Sequence, residues 1–372
     1  MADFWWSLPG PLEFCRRVAA DLDDGSCVVL AVPRAVRSGL AEAVRAQMVD
    51  LPLAQWRNIA GSGTEPPGEL LADALFAGNS PFTVPTPELL ATAEQLSGHV
   101  FCLRFELSDS VAWGMWRTFL EKYAQAIRAR PVLARSPLLV ILQGSSDEVP
   151  VREDVCLRVR RWQNCVGELD MLLYCSVLLR GQTTEPFLRA LLAGTVASVA
   201  GADPELAEFL ARESPAMVLD PRVALKNFAA ERQWTGHEPN WTDGSLDSID
   251  GVPRVHSCLP GRDPQELQYL LWRAQVTVIL PYIEQQRRWL LGKLAGTLRL
   301  PFRLKNGTCI DRTEDLEIGH IAYLVGQPQV RGVSESLRQH ICALHEARNA
   351  LAHLETLLPE KILNGALRRA IV

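Results

Sequence analysis

Short apolar runs alternate with longer helical patterns through the first 165 residues, and this alternation constrains the fold more than any other feature of the chain. The apolar runs are CVVLAV at 27–32, a weaker run at 51–59, VFCLRFEL at 100–107, LLVIL at 138–142 and VCLRV at 155–159. The helical patterns are at 36–49, 68–76, 86–95 and from a capping Ser108 or Asp109 to 128. Strands separated by helices form parallel sheets covered on both faces. We therefore predict an α/β domain with a five-stranded parallel sheet over residues 1–165.

The order of these elements resembles the core of P-loop ATPases of the AAA and STAND type. Such enzymes hold phosphate with G-x-x-x-x-G-K-[S/T] directly after the first strand, where backbone amides and a Lys surround the anion. The corresponding segment here is VPRAVRSG at 32–39, which has no Lys and keeps only Gly39. Pro33 also removes an amide donor. The segment therefore predicts that the loop forms no phosphate cradle.

The other residues near this predicted site give little support for ATP chemistry. Arg34 and Arg37 either contact a phosphate or are solvated side chains of the loop. The later strands have no Asp-Glu pair for magnesium, and offer only Glu106 and Gln143. We predict a degenerate P-loop NTPase-like domain that has no cofactor and no longer hydrolyses ATP.

The middle of the chain divides by composition. Residues 166–231 are largely apolar with helical patterns at 168–179, 185–198, 204–213 and 221–231, and we predict a helical subdomain. Residues 232–262 are polar and rich in Gly, Pro, Asp and Ser, which predicts a linker or surface loop. This segment contains Trp234, His237, Trp241, Asp243 and His256, but their spacing matches no known metal-ligand pattern. We predict no metal site.

Charge and cysteine content restrict the environment and the partners. The net charge is -5, so no global positive field attracts nucleic acid and any RNA contact needs a local patch. Most of the nine cysteines lie in apolar runs and none forms a C-x-x-C pair, which favours buried, reduced thiols. The first residues, MADFWWSLPGP, have no basic region before an apolar core, and no apolar run reaches about 18 residues. We predict a cytoplasmic protein without a membrane partner.

Residues 263–372 predict an all-helical bundle. Helical patterns cover 264–296, interrupted at Pro281, then 314–324, 334–358 and 360–371. In the third pattern, apolar residues are spaced for one helical face, namely Leu337, Ile341, Leu344, Leu351 and Leu354. Four helices, one of them short, form a compact bundle.

The string HEARNALAH at 345–353 is the most informative motif of the sequence. It contains Arg348-Asn349-x-x-x-His353 near the end of a predicted long helix. An earlier predicted helix adds Glu284-x-x-x-Arg288. Together these features resemble the HEPN family over about 105 of the 372 residues.

The HEPN resemblance implies RNA cleavage at Arg348, Asn349 and His353, supported by Glu284 and Arg288. The 2′-hydroxyl of RNA attacks the adjacent phosphate when a group moves protons near neutral pH, as His does, and a fixed cation stabilises the developing charge, as Arg does. No metal is required. Family members commonly pair two domains around one cleft, and many act in bacterial defence or toxin systems. The resemblance thus implies an antiviral ribonuclease effector that acts on RNA and forms a homodimer or binds a protein partner.

The helix geometry of the motif also favours pairing of two such domains. Arg348 and His353 lie about 140° apart around a helix, so a composite cleft needs a second set of residues. The bundle has more large aromatic residues than a four-helix core needs. They are candidates for the interface between two domains or for contacts with the N-terminal domain of the same chain, namely Trp272, Tyr282, Trp289 and Phe302.

Alternative interpretations of the motif remain open. Arg348 would form an ion pair with Glu284 or Glu355, Asn349 would brace a neighbouring helix, and His353 would be a core histidine. The protein would then be a non-catalytic regulatory or scaffold subunit of a larger complex. A third hypothesis is an unusual but active NTPase.

Overall fold

A computed structural model describes residues 2–49, 55–59, 65–76, 80–106, 110–144, 149, 151–234, 238–259, 264–298, 300–303, 307, 309–327, 330 and 332–368. The chain forms two compact units. The sheet unit consists of Met1–Tyr174 and His237–His256. The helical unit consists of Cys175–Gly236 and Ser257–Val372. The two units divide the chain differently from the four predicted segments, because the predicted subdomain at 166–231 and the predicted bundle fall mainly in one unit.

The sheet unit is built on five strands. They are β1 Cys27–Val32, β2 Gln55–Ile59, β3 His99–Glu106, β4 Leu138–Gln143 and β5 Leu157–Arg161. Its helices are α1 Ala2–Trp5, α2 Pro9–Asp23, α3 Leu40–Arg45, α4 Pro67–Phe76, α5 Pro87–Thr92 and α6 Ser110–Arg128, and α7 Glu168–Leu178 begins in this unit. All neighbouring strands are parallel, in the order β2-β3-β4-β1-β5. The prediction of a five-stranded parallel α/β sheet is confirmed.

The central position of β1 explains its sequence. Every residue of CVVLAV is buried, because β4 and β5 pair with its two sides and helices cover both faces. Cys27, Val29 and Ala31 face a core that includes residues of α4, α5 and α6. The alternate residues face α2, which contacts β1 and in turn contacts α3.

Two predicted elements in this unit differ in their boundaries from the observed ones. The helix predicted at 36–49 is the short α3, because the chain turns at Gly39, whose φ is +88°. The strand predicted at 155–159 begins two residues later as β5, where Leu157 pairs with Cys27 of β1. The predicted capping residues Ser108 and Asp109 lie outside the described residues, as do 51–54 of the predicted second strand.

The segment predicted as a linker or surface loop, 232–262, contains a β-hairpin. Strands β6 Leu246–Ile249 and β7 Val252–Val255 are antiparallel, and Asp250 and Gly251 both have positive φ in the turn. An Asp-Gly pair is a strong hairpin signal because both residues tolerate left-handed backbone. Asn164 Oδ1 accepts two hydrogen bonds from this hairpin. One comes from the Ser248 hydroxyl, and the other comes from the Gly251 amide at 3.0 Å. The turn and its bonds to Asn164 therefore give part of this segment a regular structure that its polar composition did not predict.

The helical unit contains the remaining elements. Its helices are α8 Pro186–Ala200, α9 Pro204–Leu210, α10 Pro215–Leu219, α11 Arg222–Glu231, α12 Pro264–Lys293, α13 Ile318–Val325, α14 Glu335–Ala352 and α15 Pro359–Leu363. A short hairpin joins β8 Phe302–Arg303 to β9 Cys309–Ile310. The long helices α8 and α12 pack together, and α12 also contacts α13 and α14. The prediction of several helices in the C-terminal part is confirmed.

Three predicted helix boundaries in this unit need correction. Pro281 does not interrupt α12, which continues through it for 30 residues. The helix predicted at 334–358 ends at Ala352, and the one predicted at 360–371 is the five-residue α15. These differences matter because the end of α14 carries the predicted site.

Candidate functional site

Helix α14 presents the motif residues on its exposed side. The Ser334 hydroxyl caps its first turn by accepting from the Leu337 amide at 3.2 Å. One face of the helix is buried, through His340, Ile341, Leu344, Ala347 and Leu351. Arg348 lies beside this face and is exposed, because an arginine next to an apolar stripe extends its charged end into water.

The C-terminal end of α14 is fixed by side chains of α12. Trp272 Nε1 donates to the Leu351 carbonyl at 2.8 Å. Gln275 bonds both backbone groups of Leu357, since its Nε2 donates to the carbonyl at 3.1 Å and its Oε1 accepts from the amide at 2.7 Å. Leu354 has a φ of +61°, which ends the helix. His353 is therefore an exposed residue at the helix end rather than a residue inside a long helix.

Arg348, Asn349 and His345 form one polar network. Asn349 Nδ2 donates to His345 Nε2 at 2.9 Å, and Arg348 Nη1 donates to Asn349 Oδ1 at 3.5 Å. His345 also lies against Gly319 of α13, where an added Cβ would be 3.2 Å from its Nε2. The network holds the Asn349 amide in one orientation.

Glu317, at the start of α13, is the ion-pair partner of Arg348. Arg348 Nη2 and Glu317 Oε2 are 3.5 Å apart, and the two side chains are 45% and 66% exposed. Glu317 also caps α13 together with His320, whose Nδ1 accepts from the Glu317 amide at 3.1 Å. Exposed ion pairs contribute about 0–1 kcal/mol to stability. Loss of the ion pair between Glu317 and Arg348 would therefore cost the fold little free energy.

Glu284 and Arg288 of α12 belong to a second cluster joined to the first through Arg287. Arg287 makes two bonds to Glu284, at 2.7 and 2.8 Å, and Arg288 Nε is 3.3 Å from the same carboxylate. Hydrogen bonding to Arg287 is the main cause that lowers the pKa of Glu284, so this carboxylate stays ionised. Arg287 also donates to the Glu314 and Leu316 carbonyls, which fastens the backbone directly before Glu317.

The structure brings some predicted site residues together and separates others. Arg348 and Asn349 share one network, and Glu284 and Arg288 lie in the cluster joined to it. No hydrogen bond or ion pair among the described residues joins the exposed His353 side chain to either group. The alternative pairing of Arg348 with Glu284 or Glu355 is not observed, because Glu317 takes that place.

Sequence reasoning missed three residues of this site. His345 precedes Asn349 by one helical turn, and Arg287 follows Glu284 by three residues, so helical spacing alone marks both as neighbours of predicted residues. Glu317 lies in another helix and has no local signal. Only the packing of α13 on α14 reveals it.

The predicted interface aromatics have partners within the helical unit. Trp272 Nε1 donates to the Leu351 carbonyl, and the Tyr282 hydroxyl donates to the Leu367 carbonyl at 3.2 Å. The ring centre of Tyr282 lies 4.2 Å from that of Phe187, with the two rings tilted by 34°. Trp289 contacts the Lys293 ammonium at 4.8 Å from its ring centre. The side chain of Phe302 lies outside the described residues. The first two aromatics thus have structural roles inside the unit.

In the sheet unit, the loop after β1 uses several of its polar groups internally. The Arg34 amide donates to the Thr242 carbonyl at 2.9 Å, and the Val36 amide donates to the Pro33 carbonyl at 3.1 Å. Gln143 at the end of β4 donates to the Arg34 carbonyl at 3.4 Å. Two amides of the segment that would face a phosphate in a P-loop are therefore already bonded.

Three further searches, for a metal site and a membrane span among the described residues and for related proteins, found no match. Among the described residues, no group of three or more His, Cys, Asp or Glu side chains is placed to hold a metal ion. None of the described helices is both long and apolar enough to cross a bilayer. Neither models of known protein families nor curated protein sequences gave a match to this chain. The function must therefore be argued from the residues themselves.

Proposed function

We propose that the helical unit is a HEPN-like, metal-independent endoribonuclease. The observation that carries this proposal is the state of Arg348, an exposed guanidinium held by a bond to Asn349 and by a surface ion pair with Glu317. Such a group binds a phosphate through a planar set of donors. His353, exposed at the end of the same helix, is the group that moves protons.

The reaction requires few components. The 2′-hydroxyl loses its proton to a base, its oxygen bonds to the adjacent phosphorus, and the 5′-oxygen leaves with a proton. The products are a 2′,3′-cyclic phosphate and a 5′-hydroxyl. Arg348 stabilises the negative charge that grows on the phosphate oxygens, and histidine exchanges the protons. Asn349, held by His345, orients Arg348 through its Oδ1.

The proposed role of the sheet unit is control. A degenerate NTPase-like domain senses a partner and regulates RNA cleavage, as expected of an effector in a bacterial defence or toxin system. Support comes from the parallel order β2-β3-β4-β1-β5 and from the internally bonded loop after β1.

Cleavage of RNA without metal tests the proposal directly. We expect the purified chain to cut RNA in excess EDTA and to leave 2′,3′-cyclic phosphate ends. RNA that is 2′-O-methylated throughout resists cleavage, because its nucleophile is blocked. Cleavage of the methylated RNA, or activity only with added metal, contradicts the proposed chemistry.

The two histidines of the motif helix should differ in their effect on activity. We expect His353→Ala to lower the cleavage rate by about 10²- to 10⁴-fold, since it removes the proton-transfer group. His345→Ala should cost less than about 10-fold, because His345 only supports Asn349. Rates are compared under single-turnover conditions. The opposite order would assign proton transfer to His345.

The paired cleft can be tested through the assembly of the chain. Arg348 and His353 of one chain are about 140° apart on the helix, so we expect two helical units, from two copies or from a partner chain, to complete the cleft. Light scattering at micromolar concentration should give twice the 41.2 kDa chain mass for a homodimer. An RNA-cleaving monomer would exclude the paired site.

A non-catalytic regulatory or scaffold role is the second candidate. Two pairs favour this role. Arg348 and Glu317 connect α14 to the start of α13, and Asn349 and His345 brace α14 itself. In that case partner binding persists in His353→Ala, and RNA stays intact with the wild-type chain.

A further inference from the structure

A cavity of about 200 Å³ opens in the sheet unit, between α3 and one face of the sheet. The strand residues that line it lie in the last part of β2, in the middle of β3 and in the second half of β4. Val36 and Gly39 of the loop after β1 also line it. The helix α3 has only six residues, so it covers little of this side of the sheet. Open parallel sheets bind their ligands beside the carboxyl ends of the strands. Because the loop at the carboxyl end of β1 borders the cavity, it is a candidate ligand site.

The floor and wall of the cavity are apolar. They are formed by buried side chains of the loop, of α3 and of the strands, namely Val36, Leu40, Ile59, Cys102 and Ile141. A dry cavity of about 150 Å³ holds a benzene-sized molecule. The present cavity therefore suits a ligand with a small aliphatic body, and it is below the range of about 300–1,000 Å³ that drug-sized ligands need.

Two opposite charges border this apolar space. Arg104 of β3 is held by one bond, from its Nε to Gln143 Oε1 at 2.8 Å, and its terminal amino groups have no partner among the described residues. Glu42 of α3 is exposed and has no polar partner in the same part of the chain. Asn58 of β2 adds an amide to the rim, and its Oδ1 accepts from Trp56.

Glu42, Arg104 and the buried Cys102 all line this one cavity, and no ion pair between the two charged side chains is found among the described residues. Burial is the main cause that raises the pKa of the Cys102 thiol to about 12, while Glu42 raises it further and Arg104 lowers it.

We propose that this cavity binds a small aliphatic α-amino acid. Its carboxylate meets the free amino groups of Arg104, its ammonium meets Glu42, and its side chain lies on the floor around Ile141. A nucleoside triphosphate fits poorly, because Glu42 repels phosphate and the space is small. The proposal concerns the sheet unit and does not depend on RNA cleavage by the helical unit.

Calorimetry on the full chain with three related probes tests the site. The probes are L-leucine, 4-methylpentanoate, which lacks the ammonium, and 3-methylbutylamine, which lacks the carboxylate. We expect L-leucine to bind about 10- to 100-fold more tightly than either analogue, because each lost charge removes a charge-assisted contact. Equal binding of the three probes, preferential binding of ATP, or no L-leucine binding at millimolar concentration would overturn the proposal.

Matched variants assign each charge. Arg104→Gln should weaken L-leucine and 4-methylpentanoate by about 10- to 100-fold and leave 3-methylbutylamine unchanged or tighter, and Glu42→Gln should give the mirror pattern. Arg57→Gln is the control, since Arg57 is exposed on β2 and does not line the cavity. Circular dichroism verifies folding of each variant. Loss of all three probes in folded Arg104→Gln, or no change in either charge variant, contradicts the assigned contacts.

Discussion

Replacing Arg348 by alanine is expected to lower the rate of metal-free RNA cleavage by about 10²- to 10³-fold, the usual cost of removing one donor that stabilises transition-state charge. The fold should be unaffected, because the ion pair that Arg348 forms within the described part of the chain is the exposed one with Glu317, worth about 0–1 kcal/mol. Single-turnover cleavage of a labelled RNA gives the rate, and thermal melting verifies the fold.

Two further variants sharpen this result. Arg348→Lys keeps the charge but loses the planar donors, so we expect an intermediate rate. Arg212→Ala removes another exposed arginine of the helical unit and should leave the rate unchanged. If folded Arg348→Ala cleaves RNA like the wild type, Arg348 has no part in catalysis. That result would favour the non-catalytic scaffold role for Arg348.

The largest stability effect is expected at Gln275. Replacing it by leucine removes the two bonds to the Leu357 backbone and leaves a buried amide and carbonyl without partners. Each such group costs about 1–3 kcal/mol, so we expect the free energy of unfolding to fall by about 2–4 kcal/mol. Denaturant titration followed by circular dichroism measures the change.

Gln285→Leu serves as the matched control on the same helix. Gln285 is exposed, and its substitution should change the free energy of unfolding by less than about 0.5 kcal/mol. Because Gln275 fixes the segment that follows His353, the variant should also lower RNA cleavage even at temperatures where the chain is folded. A destabilisation below 0.5 kcal/mol would mean that Leu357 finds other partners.

The sheet was predictable because its signals are local. A fully apolar run such as β1 indicates a strand buried on both faces, and helical patterns between such runs indicate parallel connections. The hairpin at β6 and β7 was also within reach, since Asp250-Gly251 is a strong turn signal, but the polar composition around it favoured a loop. Its packing within the sheet unit depends on Asn164, more than 80 residues earlier in the chain.

For the candidate site, the sequence by itself determined that a helix carries Arg348 and Asn349 on one exposed side, because the apolar spacing of α14 leaves them there. It did not determine where that helix ends. The residues after Ala352 continue an apolar pattern compatible with a helix, and α12 ends it by bonding Leu351 and Leu357. Tertiary structure alone also decided that Glu317 restrains Arg348 and that His353 lies at a helix end, since both depend on contacts between helices that no local pattern specifies.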